Sequence, residues 1–336
     1  MHDVAVAPPA KLNLFLEIHG RREDGFHEID TVMVPVDWCD ELRLRGRSHC
    51  GIDLTVHSRD DDSSIRVGEP RSEIETIPSD DRNLVHRALT RFNEEVGWSG
   101  GWEVHLRKSI PSGAGMGGAS SDAASAIRAA AAWLNRFQPP FSDPNWLTSP
   151  RNAAMQLEIA ASLGSDVPFF LRPGSAGRAT GRGEVITDVP LQERLHFVIM
   201  YPPESVSTAE IYGRLGFERG QLAGRDHVID SVNAINAIAS GKPERIGNHL
   251  HNRMQPAACG LSSRIEEALQ CFKLVGLTSA MMTGSGSACF ALVPSASQAS
   301  AGARDLASMA AGRERLQGAL IRPASSCDVP SVVSIA

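Results

Sequence analysis

Residues 108–130 read KSIPSGAGMGGASSDAASAIRAA, and four of the six positions from Gly113 to Gly118 are glycine. Glycines at that density bare the backbone and leave its N–H groups open, at a cost in conformational entropy. The stretch before them, GWEVHLRKSIP, alternates apolar and polar residues as a strand does. The alanine-rich run after them is helical by propensity, with Ser120, Ser121 or Asp122 as the expected N-cap. A helix start carries unpaired N–H donors and a partial positive charge. A strand, a glycine loop and a helix in that order therefore suit a phosphate, against the plainer reading of a surface turn with no ligand. No lysine follows the glycines, so the loop is not of the G-x-x-x-x-G-K-[ST] type. Gly113, Gly115 and Gly118 formally match G-x-G-x-x-G, but the acidic residue that a dinucleotide site needs after a second strand is missing.

The rest of the chain sets limits. A length of 336 residues suggests two domains, and 42% hydrophobic with 21% charged residues is the balance of a soluble globular protein. The net charge of -6 argues against a broad nucleic-acid surface. No apolar run is long enough for a membrane span, and the N-terminus MHDVAVAPPAKLNL does not read as a signal peptide. A cytoplasmic protein with neither nucleic-acid nor membrane partners is expected. The six cysteines form no C-x-x-C pair, and His249 and His251 fit no zinc spacing, so no metal-ligating residues are assigned.

Upstream, AKLNLFLEIHG alternates, with Leu12, Leu14, Leu16 and Ile18 on one face and Lys11, Asn13, Phe15 and Glu17 on the other. Residues 46–81 are polar and read as a surface excursion with one hairpin around IDLTVH. NLVHRALTRFNEEVG predicts an amphipathic helix ending at Gly97, and RNAAMQLEIAASLG another, stopped by Gly164. SDVPFFLR is expected to leave that helix as a strand. The second half predicts strands near 195–201 and 280–293, helices near 229–239, 245–258 and 263–273, and an irregular tail.

Four stretches, taken together and in order, resemble the GHMP kinase family: PAKLNLFLEIHGRREDGFHEIDTVM, PSGAGMGGASSDAA, LGSDVPFFL and MMTGSGSACFAL. RNLVHRA and NRMQPAA are similar to weaker family stretches, and the resemblance spans roughly residues 6–293. The longer glycine loop and the opening motif are similar to the branch that phosphorylates 4-diphosphocytidyl-2-C-methyl-D-erythritol. Met116 stands where that branch usually has leucine, and Phe26 where it has tyrosine.

The resemblance implies a two-domain α+β fold: a ribosomal-protein-S5-like domain over residues 1–190, a ferredoxin-like layered domain over 191–325, and a tail over 326–336. It implies a kinase working as a monomer or weak homodimer on ATP, Mg²⁺ and a cytidyl diphosphate sugar alcohol. Lys11 and Asp166 would face the acceptor hydroxyl, Asp166 taking its proton and Lys11 orienting Asp166. Pro111, Ser112, Gly113, Ala114, Gly115, Met116, Gly117, Gly118, Ala119, Ser120 and Ser121 would hold the ATP phosphates, with Lys108 and Asn83 near its base and ribose. Ser120 or Ser121 would give Mg²⁺ an oxygen. Asn13, Phe26 and His27 would bind the acceptor, and Tyr212 would be the second aromatic of a sandwich around the cytosine.

Overall fold

The segment Pro9–Arg21 forms one strand of 13 residues, and it is buried on both faces up to Ile18. The computed structural model describes residues 3–58, 63–68, 77–138, 141, 144–222, 229–330 and 334–335. Numbered along the chain, the strands are β1 (Val4–Val6), β2 (Pro9–Arg21), β3 (His27–Cys39), β4 (Glu41–Arg47), β5 (Gly51–Ser58), β6 (Ile65–Arg66), β7 (Gly101–Lys108), β8 (Gly177–Gly181), β9 (Val185–Asp188), β10 (His196–Tyr201), β11 (His251–Asn252), β12 (Ala280–Met282), β13 (Cys289–Val293), β14 (Leu320–Ser325) and β15 (Ser334–Ile335). The helices are α1 (Leu84–Val96), α2 (Gly118–Phe137), α3 (Pro144–Thr148), α4 (Pro150–Leu163), α5 (Val167–Leu171), α6 (Thr208–Leu215), α7 (Val232–Ala239), α8 (Pro243–Gly247), α9 (Gln255–Cys259), α10 (Ser263–Leu274) and α11 (Ala296–Ala311).

Among the described residues three five-stranded sheets result, in the orders β15-β1-β4-β7-β5, β11-β2-β3-β8-β9 and β12-β13-β10-β14-β6. Most neighbours are antiparallel, whereas β5 runs parallel to β7 and β11 parallel to β2. One core gathers Leu89, Phe92, Trp102, Ile127 and Leu134 from α1, β7 and α2. A second joins Leu12, Leu14 and Val34 of β2 and β3 to Phe197 and Phe290 of β10 and β13. A third packs Ile265, Phe272 and Leu306 of α10 and α11 against Val198 and Ile321. Strand β2 thus lies between cores, which is why its polar residues Lys11, Asn13 and Glu17 are buried as well. The alternation slips at a register shift between Asn13 and Phe15.

The structure corrects several expectations. VPFFL is the short helix α5, because Pro168 sits in its first turn, where a fixed φ and a missing N–H cost nothing. An apolar run that short has no periodicity to distinguish strand from helix. Helix α2 begins at Gly118 with Gly117 at its N-cap, so Ser120, Ser121 and Asp122 lie inside the helix and no side chain caps it. The expected 280–293 strand is split into β12 and β13 by the glycine turn between them, and the expected 245–258 helix is broken by β11. The 46–81 excursion is not a hairpin: β5 joins the first sheet beside β7, and β6 crosses to the third sheet beside β14. Residues 59–62 and 69–76 of it lie outside the described residues. The tail bridges back through Ser326 to Val36 and Val329 to Gly174, and β15 pairs with β1. Residues 331–333 and 336 of it lie outside the described residues.

Candidate active site

The glycine loop closes β7 onto α2 with left-handed backbone at Gly115 and Gly117. At Gly115 a Cβ would fall 2.4 Å from the Thr283 carbonyl, so only glycine lets the two glycine turns touch. Ala288 N donates to Ala114 O at 3.1 Å across the same contact, and Asn252 Nδ2 fastens the second turn through Met282 O and Gly284 O. The first helical bond of α2 runs from Ser121 N to Gly117 O at 2.9 Å. The amides of Gly118, Ala119 and Ser120 precede it and lack helical acceptors, as an anion site at a helix start requires. A cavity of about 300 Å³ is lined by the loop from Pro111 to Ser120 together with Asn83 and Lys108. Ser121 is not among its walls: the residue is fully buried, with its hydroxyl unpartnered inside the protein.

Lys108 and Asn83 border this cavity but are largely spoken for. Asn83 caps α1, accepting from Val85 N at 2.9 Å and donating to Pro78 O at 2.7 Å. Lys108 is no exposed strand end. Its ammonium is buried between Asp122 Oδ2, at 2.6 Å, and Asp40 Oδ2. Asp40 Oδ1 also accepts from Ser109 N at 2.6 Å and Ile110 N at 2.9 Å, so one aspartate sets the entry to the loop. Burial pushes the Asp122 carboxyl up to about 8 against the opposing pull of Lys108, with Asp40 adding repulsion. Asp122 Oδ1 has no partner and is the oxygen free to carry that proton.

Lys11 lies where the glycine loop meets a larger cavity. Its ammonium donates to Asn13 Oδ1 at 2.5 Å and Gly115 O at 2.9 Å, and stands 3.6 Å from Asp166 Oδ2. Asp166 occupies the N-cap position of α5 but makes no capping bond, which leaves its carboxylate directed at Lys11 and 35% exposed. Thr31 and Thr283 hold Asn13: its Nδ2 donates to Thr31 Oγ1 at 2.8 Å, and Thr283 Oγ1 accepts from Asn13 N at 3.0 Å. At Gly117 a Cβ would approach Phe170 at 3.0 Å and Lys11 Cε at 3.2 Å, so this glycine makes room for the lysine as well as for a ligand.

The larger cavity, of about 790 Å³, shares Gly115, Gly117 and Ser120 with the first. Asn13, Phe26, His27 and Tyr212 all reach it. His27 and Tyr212 stack on each other, rings 3.9 Å apart and 11° from parallel, so no base fits between those two. Phe26 is 50% exposed, with the Arg182 guanidinium 4.6 Å over its ring. Burial and the nearby Arg21 pull the His27 imidazole below its ordinary value, and burial beside Asp166 pushes the Tyr212 phenol up to about 12. Both rings are therefore neutral at about pH 7.

Sequence reasoning missed Asp40, Thr31, Thr283 and Arg182. Thr31 and Thr283 belong to motif segments, Asp40 and Arg182 lie outside them, and only the folded chain brings Asp40 across 68 residues to Lys108. A phosphate-cradling loop that opens onto a second cavity past a lysine–aspartate pair defines a phosphotransferase for small molecules. Residues 83–174 match the GHMP kinases N terminal domain and residues 234–312 the GHMP kinases C terminal domain, so the chain belongs to the GHMP kinases. It is 46% identical to the 4-diphosphocytidyl-2-C-methyl-D-erythritol kinase of Rhodopirellula baltica, over 99% of this chain and 98% of that protein. With the kinase of the same name from Mycolicibacterium gilvum it shares 34% identity over 96% and 94%. A crystal structure of 4-(cytidine 5'-diphospho)-2C-methyl-D-erythritol kinase superposes with a TM-score of 0.68 at 27% identity, covering 96% and 99%. Homoserine kinase from Cytophaga hutchinsonii has the same fold at 16% identity, with a TM-score of 0.70 and coverage of 99% and 97%. Among the described residues no helix is long and apolar enough to cross a membrane.

Proposed function

We propose that the protein transfers the γ-phosphate of ATP to the 2-hydroxyl of 4-diphosphocytidyl-2-C-methyl-D-erythritol, giving the 2-phosphate and ADP in the non-mevalonate isoprenoid pathway. It does so in the cytoplasm, as a monomer or weak homodimer. The observation that carries the reading is the meeting of two cavities at Gly115, Gly117 and Ser120, beside Lys11 and Asp166. The whole-length identity to kinases of that name selects the acceptor.

In this reading the smaller cavity holds ATP with its phosphates on the open amides of α2. The acceptor fills the larger cavity, its diphosphate toward Arg21 and Arg182 and its cytosine on the exposed face of Phe26. Asp166 accepts the hydroxyl proton as the oxygen attacks, and Lys11 holds Asp166 and faces the charge on the moving phosphoryl. Among the described residues no three His, Cys, Asp or Glu side chains cluster as metal ligands. Ser120, which lines both cavities, has the hard oxygen that Mg²⁺ accepts alongside phosphate and water. Bound there with the phosphates, Mg²⁺ supplies neutralisation of their charge.

A coupled assay of ADP release tests the assignment. The cytidyl compound should support turnover that EDTA abolishes. Turnover on mevalonate or homoserine with none on the cytidyl compound would overturn it. Phe26→Ala should raise KM for the cytidyl acceptor by the loss of base stacking, about 1–3 kcal/mol per base in single-strand binders. Its exposure means that the fold should not suffer. An equal rise in KM for ATP would show that the ring supports the site as a whole.

A further inference from the structure

A cavity of about 660 Å³ lies along the C-terminal half of α2, away from the glycine loop at the helix start, and neither substrate in the proposed reaction uses it. One face of α2 builds a wall from Arg128, Ala131, Ala132 and Asn135, at helical spacing, and Leu157 of α4 and Ile186 of β9 face it. The alanines leave the space open. Leu147 and Leu157, 37% and 47% exposed, both border this one cavity, and apolar side chains gathered at one concave place mark a binding surface better than scattered ones do.

Arginines border this apolar space. Arg128 donates to Phe170 O at 2.5 Å and Ser125 Oγ at 3.2 Å, both neutral, and its buried Nε has no partner. It has no ion pair among the described residues. Burial without a neighbouring carboxylate draws its pKa down to about 10. Arg172 pairs with Asp188 and donates to Ala176 O at 3.3 Å, yet its Nε is also buried and unpartnered. Arg136 is exposed and lies over the Phe137 ring. The carboxylate in the cavity wall, Glu184, is already engaged by Arg182, its N–H at 2.6 Å and its guanidinium at 3.6 Å. The two Nε atoms are sealed from the cavity, but both guanidinium groups line it, and Arg128, without an ion pair among the described residues, favours an anion there.

We propose that this cavity binds a small amphiphilic anion, a phosphate head on Arg128 and Arg172 with a short hydrocarbon body along Leu147, Leu157 and Ile186. A concave site with one buried cation favours a single free molecule over the flat contact of a membrane surface. The site adjoins the reacting groups mechanically. Arg128 holds the Phe170 carbonyl of α5, the helix that Asp166 starts, and the Phe170 ring lies against Gly117. A head group drawing on the Arg128 donors is therefore felt first by α5.

Octyl phosphate, below its micelle concentration, is the probe, with the glycine-loop site saturated by a non-hydrolysable ATP analogue. Calorimetry should give one molecule per chain, and octanol and octyltrimethylammonium should not bind. Hydrogen exchange should slow in residues 128–136, 153–157 and 167–171. Arg128→Gln and Leu157→Glu should each weaken binding at least about tenfold, the loss of a charge-assisted hydrogen bond or of apolar contact. Leu157 is exposed, so its variant should fold and keep full kinase activity even if Arg128→Gln does not fold. Absence of binding, protection confined to residues 111–120, unchanged affinity in Leu157→Glu, or binding only to anionic phospholipid vesicles would each overturn the proposal.

Discussion

Asp166→Asn should lower kcat about 10²–10⁴-fold at saturating ATP and acceptor while leaving both KM values nearly unchanged. The amide keeps the shape of the side chain and removes the proton acceptor. The fold has little reason to respond, since Asp166 makes no capping bond and Lys11 keeps its bonds to Asn13 Oδ1 and Gly115 O without it. Lys11→Met should also fall steeply, through loss of both the Asp166 contact and the charge facing the phosphoryl group. The double variant should lose less than the product of the two, because groups that act as one unit are not additive. Single-turnover phosphoryl transfer with both ligands saturating separates chemistry from product release. A rate for Asp166→Asn within a few-fold of wild type would reject the base and leave Lys11, Mg²⁺ and the loop to carry the reaction.

What was legible in the chain and what was not divides along sequence distance. Lys11, Asn13 and the glycine loop could be read because each lies in a short segment whose own pattern fixes its geometry: a period-two strand, and a strand–glycine–helix run. Asp166 needed the family resemblance, and its local structure was misread, since VPFFL has too few residues to show a period. The pairing of His27 with Tyr212, and that of Lys108 with Asp40, depend on tertiary placement of segments far apart in the chain. No local rule encodes them. The 46–81 segment misled for a similar reason: β5 is polar enough to look like a surface hairpin, yet Leu54 is buried in the first core and its strand partner is β7, some fifty residues on. The N-cap of α2 was misplaced because capping preference ranks serine and aspartate highly. Here a cap side chain would occupy the amides that the proposed phosphate needs, and glycine stands at the cap instead.

Lys108→Met should destabilise the protein by about 3–5 kcal/mol near neutral pH, the usual cost of removing one partner from a buried ion pair. Methionine fills much the same space, so the loss is electrostatic. Asp40 and Asp122 would remain side by side without the ammonium that now sits between them. Asp40 would still be held by Ser109 N and Ile110 N, whereas Asp122 would lose the partner of its Oδ2, with its Oδ1 already unpaired. The pH profile identifies the cause. In the wild type Asp122 is raised to about 8, above its unfolded value of 3.8, so its proton favours the folded state. That contribution is complete below the unfolded value and is lost as pH rises through the folded one. Without Lys108 to lower it, the Asp122 value should climb further, so the deficit should widen as pH rises through about 8, where the wild type can ionise Asp122 beside its ammonium and the variant cannot. Thermal unfolding midpoints followed from about pH 5 to about pH 9 read this directly, spanning the shifted carboxyl. A deficit that stays constant across that range would show that Lys108 acts through packing alone, with the two carboxylates reaching solvent once it is gone. A deficit that grows with pH places the charge balance of Lys108, Asp40 and Asp122 beneath the glycine loop, where it sets the start of α2 before any phosphate arrives.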